Sequence, residues 1–443
     1  MKFRITLAGA IAFALGTLGP ISASAVSLQD AVKATIESNP DVRQAANRRL
    51  AIDQEIEQAV GGYLPDIDVD AGIGWEQSHN ATTHAQGDHD VQKTRRELGI
   101  RLRQMLFDGF LTTGEVERHM ARAESAAYLV QSAAEESAQR AVEAYLNVLR
   151  RQQLVKLAED NLAAHQKVHD QIKLRADRGV GRKADLSQIQ GRLALAESNL
   201  ISEQNNLRDA ETTYLRVVGV LPEDLQSAEN VADKLPPSVD EATQMAVDNH
   251  PTLKSADADI VAREKQHDVA KSPFYPRFDL EYSSRADKDL DGQPGINNED
   301  QVMLRVRYNL FNGGSDVARR AETAHLINEA KDIRDRTQRQ VVESLRLSWT
   351  SYQAADSVLA YRRQHVESAL QTKDAYGKQF NIGQRTLLDL LDTENELFEA
   401  QRAYTNADYD RLNAEYRILA GMGALTKDLD VPLPQEASVP RKD

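Results

Sequence analysis

The sequence predicts an α+β membrane protein made of two tandem structural repeats. Each repeat is a β-hairpin followed by a long helical hairpin, so one chain gives four strands to a transmembrane β-barrel and four long helices to a coiled-coil barrel that continues it. Three observations predict the repeat, its strands and its long helices, and the membrane barrel is the reading they are joined to below. The first is a repeat in register. Phe107-Asp108-Gly109 begins 72 residues before Gly179, and Phe311-Asn312-Gly313 begins 72 before Gly383. Each of these two later glycines is followed after six residues by an aspartate, Asp185 or Asp389. Pro40 and Pro65 are 25 apart, as are Pro251 and Pro276. The second observation is a period of two in the apolar residues before each Phe-Asx-Gly marker. The third is the stretch after each marker: Thr113 to Arg178 has no proline and little glycine and is rich in Ala, Glu, Gln and Arg. A helix of that length is roughly 100 Å long at about 1.5 Å per residue, too long for one globular core.

The N-terminus carries Lys2 and Arg4, an apolar run from Ile5 to Leu18, and Ala23-Ser24-Ala25. This is the pattern of a secretory signal peptide, cleaved after Ala25. Loss of Lys2 and Arg4 takes the formal net charge from −14 to −16, an acidic balance that argues against nucleic acid. There is no cysteine, which excludes a disulfide scaffold, a thiol nucleophile and a lipid-bearing cysteine. No later apolar run reaches the roughly 20 residues of a transmembrane helix. The remaining options are a soluble periplasmic protein or a closed barrel in the membrane.

In chain order, Leu28, Val32 and Ile36 line a short amphipathic helix stopped by Asn39-Pro40, and a second helix ends at Gly61-Gly62. Ile67, Val69, Ala71, Ile73 and Trp75 then alternate with Asp66, Asp68, Asp70, Gly72 and Gly74, and after a polar loop from Glu76 to about Arg95 the alternation resumes at Leu98, Ile100 and Leu102. Such a pair fits a transmembrane hairpin, and also a hairpin of a soluble sandwich. The first long arm returns through Leu186, Ile189, Leu193, Ala196, Leu200, Leu207, Ala210, Tyr214 and Val217, a heptad seam broken at Glu203. Pro222, Pro236 and Pro237 mark the connection to the second copy. There Phe278, Leu280 and Tyr282 form one strand and, past a loop from Arg285 to Asp300, Val302, Leu304, Val306, Tyr308 and Leu310 form the next. The second arm returns through Leu390, Leu397, Ala400, Tyr404, Ala407, Ala414 and Ile418. By these signals 1–25 is the signal peptide and 26–222 the first repeat, with its β-hairpin at about 65–106 and helical hairpin at about 109–219. The connection is 223–237, and the second repeat is 238–423, with hairpins at about 277–311 and 314–421. The polar stretch 424–443, with Pro432, Pro434 and Pro440, is expected to be disordered.

Four strands cannot close a barrel, and an open sheet leaves unpaired edges in lipid, so a membrane reading requires an oligomer. Other constellations are weaker. Gly179-Val180-Gly181-Arg182-Lys183-Ala184 matches a dinucleotide fingerprint but follows a helix where the fingerprint needs a strand. Asp287, Asp289 and Asp291 resemble the first half of a calcium loop, with Asn298 at the twelfth position where a glutamate is needed. A solvated acidic loop is the alternative. His79, His84 and His89 recur every five residues and share no helix or strand face, so they read as loop polarity. Asp389 and Asp392 share a helix face near its start, where negative charge is favoured, with no nucleophile or metal motif beside them for acid–base chemistry.

The strand hairpins, Leu310-Phe311-Asn312-Gly313-Gly314 and Gly383-Gln384-Arg385-Thr386-Leu387-Leu388-Asp389-Leu390-Leu391-Asp392 resemble the TolC-type outer-membrane channel family, over nearly all of the chain past the signal and in both repeats. The resemblance implies a homotrimer whose twelve strands form a barrel in the outer membrane and whose twelve helices form a tunnel across the periplasm, in contact with outer-membrane lipid. It implies an exit duct without catalysis or cofactor that serves an inner-membrane ABC or proton-driven transporter through a periplasmic adaptor (membrane fusion) protein. It places Asp389 and Asp392 at the periplasmic gate, and Asp185, Arg385 and Phe380 among the links that hold the gate shut, with Gly179 and Gly383 at the hairpin turns. Two departures from the pattern, Ala184 for a threonine and Phe380 for a tyrosine, remove hydroxyls and shift the closed state towards charge pairs. Gly179 to Leu200 and Tyr214 to Gly219 resemble the type I protein secretion branch. A multidrug efflux duct is the alternative within the family. A soluble periplasmic coiled-coil adaptor is the alternative outside it, although adaptors insert one helical hairpin and this chain has two, each fused to strands.

Overall fold

A computed structural model describes residues 25–439 apart from 86, 88, 89 and 181. The signal-peptide reading, Ala25 excepted, lies outside the described residues, as does His89. Each repeat opens with two short helices set by their caps. In α1 (Leu28–Ser38) Ser27 and Asp30 form a reciprocal capping box, and Asn39 then caps α2 (Pro40–Val60), which begins on proline. The second repeat does the same with α6 (Val239–Asn249), capped by Ser238, and α7 (Pro251–Val269), capped by His250.

The strands are β1 (Asp66–Ser78) and β2 (Val91–Phe107), with a one-turn helix α3 (Ala81–Ala85) between them, and β3 (Arg277–Lys288) and β4 (Ile296–Arg307). They form one antiparallel sheet in the order β1-β2-β3-β4, so the two hairpins join through β2 and β3 and leave β1 and β4 as open edges. All four run further from the helices than the apolar alternation does, and β4 stops at Arg307, short of Tyr308 and Leu310. Alternating apolarity reports the depth of lipid, whereas the hydrogen-bond ladder continues through polar residues beyond it, so the loops shrink to 79–90 and 289–295.

The long arms are α4 (Leu111–Asp177) and α8 (Ser315–Asn381), each of 67 residues, and they return as α5 (Lys183–Val218) and α9 (Leu387–Gly421). The corner into α4 needs left-handed backbone at Gly109 and Phe110, and a Cβ at Gly109 would sit 2.6 Å from the Ser272 carbonyl oxygen. The main core lies at mid-height, where α1 and α6 pack on the arms: Val32, Tyr145, Tyr214, Leu345, Tyr416, Ile418 and Leu419 are all essentially sealed from solvent.

Over its described residues, 424–439, the tail corrects the sequence reading of 424–443 as disordered. A four-residue helix, α10 (Leu425–Asp428), docks on α4, and Leu425, Val431 and Ala437 are buried. The cause is Glu135 of α4, a buried carboxylate that accepts the amides of Leu425 and Thr426 at 3.1 Å each and the Thr426 hydroxyl. Prolines and polar residues suggest a solvated tail, but one buried acid on a distant helix supplies the partners its backbone needs.

Candidate functional site

At the far end of the helices both turns use the same backbone. Gly179 (φ 77°) and Gly383 (φ 79°) take the left-handed conformation, and Val180 and Gln384 donate back to the carbonyls of Arg175 and Gln379 at 3.1 and 2.9 Å. This is the glycine-terminated C-cap that reverses a chain tightly, and a side chain at either glycine is strained. The two tips share one apolar cluster: Val168 and Ile172 of α4, Ile189 of α5, Phe380 of α8, and Leu387, Leu390 and Leu391 of α9. Within one chain, then, the hairpins touch at the end where the turn glycines and Asp389 lie.

The structure distributes the residues that the sequence reading assigned to a gate unevenly. Phe380 points into the cluster rather than to solvent, and the Arg175 guanidinium stacks over its ring at 5.2 Å. Arg385 folds over Tyr376 at 4.1 Å and donates to Gln379 Oε1 at 3.0 Å. Asp185 is half-buried on α5, and no hydrogen bond or ion pair joins it to Arg385 among the described residues. Asp389 serves the start of its own helix: its carboxylate accepts the Thr386 amide at 3.0 Å and hydroxyl at 2.8 Å, while its amide donates to Thr386 Oγ1. Those bonds, helped by Arg385, hold the Asp389 carboxyl below its ordinary range. Asp392 stands one turn on, exposed, and accepts from Arg192 of α5 at 3.1 Å.

Arg192 was not signalled by the sequence, because a lone arginine on a helix face has many possible partners. A second missed residue is Glu203, which only breaks the heptad seam in sequence. In the structure it stays in the seam, almost fully buried, between Arg151 of α4 at 3.5 Å and Arg402 of α9 at 3.6 Å. The break in the pattern was itself the clue, since a buried carboxylate requires cationic partners. With Arg150 to Asp410 at 3.2 Å, three charge contacts lace the first helical hairpin to α9 along its length.

The sheet at the other end has two unlike faces. Cross-strand register puts Ile67, Val69, Leu98, Ile100, Val302 and Leu304 on one face, where they are exposed despite being apolar. The opposite face carries an ion-pair mesh: Arg103 to Asp66 at 2.8 Å, Arg305 to Glu281 at 2.7 Å, and Arg307 to both Asp279 and Glu281 at 2.7 Å. Lipid suits the first face and a water-filled lumen the second. The candidate calcium residues sit at the loop end. Asp287 is buried on β3, Asp289 uses its carboxylate on the Gly295 amide at 3.0 Å, and Asp291 offers its carbonyl to Asn80. Among the described residues no three His, Asp or Glu side chains converge as a metal site. His79 and His84 approach each other at 3.0 Å between their Nε2 atoms.

Residues 31–220 and 242–424 match the outer membrane efflux protein family. The outer membrane efflux protein BepC of Brucella suis biovar 1 is 28% identical over 337 residues, covering 76% of this chain and 74% of that protein. The alkaline protease secretion protein AprF of Pseudomonas aeruginosa is 24% identical over 423 residues, covering 92% and 87%. Among solved structures the transmembrane channel CusC superposes with a TM-score of 0.77 at 14% identity, covering 90% of this chain and 92% of that one.

Proposed function

The chain belongs to the outer membrane efflux protein family, an outer-membrane channel reaching into the periplasm, and on that premise we propose that it is the exit duct of a type I protein secretion system. Three copies close a twelve-stranded barrel by joining β4 of one to β1 of the next, which removes the open edges that lipid does not tolerate. An inner-membrane transporter and a periplasmic adaptor dock at the helical tips. The observation that carries the secretion reading is the alignment with AprF through nine-tenths of the chain. BepC, an efflux protein by name, favours a second reading as a drug-efflux duct.

At the tips, Asp389 and Asp392 form rings of three carboxylates around the entrance, and the closed state rests on Arg192 to Asp392 within a chain and on Arg385 reaching Asp185 of a neighbour. Each such pair is partly exposed and worth about 1 kcal/mol or less, but the three-fold repeat makes them break together. The test is a strain lacking this chain. Secretion predicts loss of a large polypeptide from the medium with unchanged drug susceptibility, and efflux predicts the reverse. A strain showing neither of the two defects would overturn the duct reading.

A further inference from the structure

We propose that Arg96 and Lys288 hold the phosphate of an anionic lipid headgroup against the outer wall of the barrel. Register fixes which way they point. Arg96 shares its face with Leu98 and Ile100 on β2, and Lys288 shares its face with Ala286 and Tyr282 on β3. Arg96 pairs directly with Lys288 across the two strands, and the same row continues to Ile73 on β1 and Ile296 on β4. Both cations therefore stand on the lipid-facing side, within about 5 Å of each other at their Cα atoms.

Like charges directly opposed across a ladder repel. Among the described residues no acid relieves this pair: neither residue forms an ion pair, and the adjoining acids Glu97 and Asp287 lie on the lumen face, where Arg95 and Arg285 take them up. Asp300 is the acid on the lipid-facing side of the four strands, and it lies two rows nearer the helices, where it accepts the Tyr282 hydroxyl at 3.2 Å. A shared anion reverses the repulsion, and charge-assisted bonds from two cations favour phosphate.

Position identifies the anion as a lipid. The pair sits at the loop end of the sheet, away from the helices, with the exposed side chains of Ile73 and Ile296 flanking it and Trp75 one step beyond on β1. Exposed tryptophan at the rim of an apolar band marks headgroup depth. Since the helices are periplasmic, this rim meets the outer leaflet, where the lipid headgroup is a phosphorylated sugar. β2 and β3 are the central strands of the sheet, so barrel closure at β1 and β4 does not cover the pair.

The test uses the full-length trimer in detergent, with its dissociation temperature read on gels after adding bis-phosphorylated lipid A, the same lipid stripped of phosphate, or inorganic phosphate. Lipid A should raise that temperature by several degrees, while dephosphorylated lipid and inorganic phosphate should not. Arg96→Gln with Lys288→Gln should abolish most of the shift, yet be no less stable than the parent in detergent alone, because the repulsion is gone. Each single variant, measured as well in case the double fails to assemble, should lose part of the shift. Arg101→Gln, on the lumen face of β2, should keep all of it. An undiminished shift in the Arg96 and Lys288 variants, or an equal shift with dephosphorylated lipid or with inorganic phosphate alone, would overturn the proposal.

Discussion

In the second repeat Thr386 and Asp389 close a reciprocal box over the first turn of α9, whereas in the first repeat the equivalent cap position is Arg182, which makes no side-chain bond to α5. The long helices otherwise keep one register: Leu111, Asp177 and Lys183 correspond to Ser315, Asn381 and Leu387, each 204 residues on. Duplication has kept lengths, turn glycines and seams while polar side chains diverged. Geometry is thus held by residues both copies share, and local stability is set by residues that only one has. The capped turn is the one bearing both carboxylates of the proposed gate, Asp389 and Asp392.

The largest expected effect asks whether the tips are one unit. Leu391 is sealed within the cluster both hairpins share, so Leu391→Ala should cost about 2–5 kcal/mol of local stability. Hydrogen exchange should quicken in residues 165–192 as well as 376–400. Loosening confined to the second tip would mean that the hairpins end independently. Next comes the asymmetry at mid-height, where Glu135 holds the tail and its counterpart, 204 residues on, is the exposed Arg339. Glu135→Ala leaves two buried amides unpaired, at about 1–3 kcal/mol, and should open 425–437 to protease. Arg339→Ala should do nothing comparable, and equal protection in both variants would remove Glu135 from its role as anchor.

A smaller effect exchanges the caps. Thr386→Ala should weaken the start of α9 by about 1 kcal/mol, and Arg182→Thr, three residues before Asp185, should install the missing box on α5 for a similar gain. Amide exchange over the first turn of each helix reads both. If Arg182→Thr protects nothing, the difference between the tips does not lie in the cap.

Much of this was legible because the signals were local and repeated. The register of Phe107, Gly179, Phe311 and Gly383, the alternation in the strands and the proline-free arms each report backbone geometry directly. The tail was misread because its order depends on Glu135, some 290 residues away in sequence. At the site, both turn glycines and the Asp389 and Asp392 pair were visible, but their partners were not. A capping box is spelled within four residues, and Thr386-Leu387-Leu388-Asp389 is one. Arg192 and the buried Glu203 depend on which helix packs beside which, and no spacing within one helix encodes that.

The smallest effect separates the two carboxylates by pH. Bonds from Thr386 and the charge of Arg385 lower the Asp389 pKa on folding, so its stabilisation of the α9 start is complete above the ordinary carboxylate value of about 3.9 and is lost as pH falls through the lower folded value. Asp392 takes no part in the cap, and its exposed link to Arg192 is worth about 1 kcal/mol at most. Acidification should therefore quicken exchange at the first turn of α9 in the parent and in Asp392→Asn alike, and the acid dependence should vanish in Thr386→Ala, whose exchange there is already fast. Single-channel current shows the complementary behaviour. Asp392→Asn should reduce cation preference near neutral pH and free Arg192 from α9, raising conductance modestly while leaving the cap intact. If Asp392→Asn also abolishes the acid dependence of exchange, the carboxylates act as one coupled group and the division into cap and lining fails.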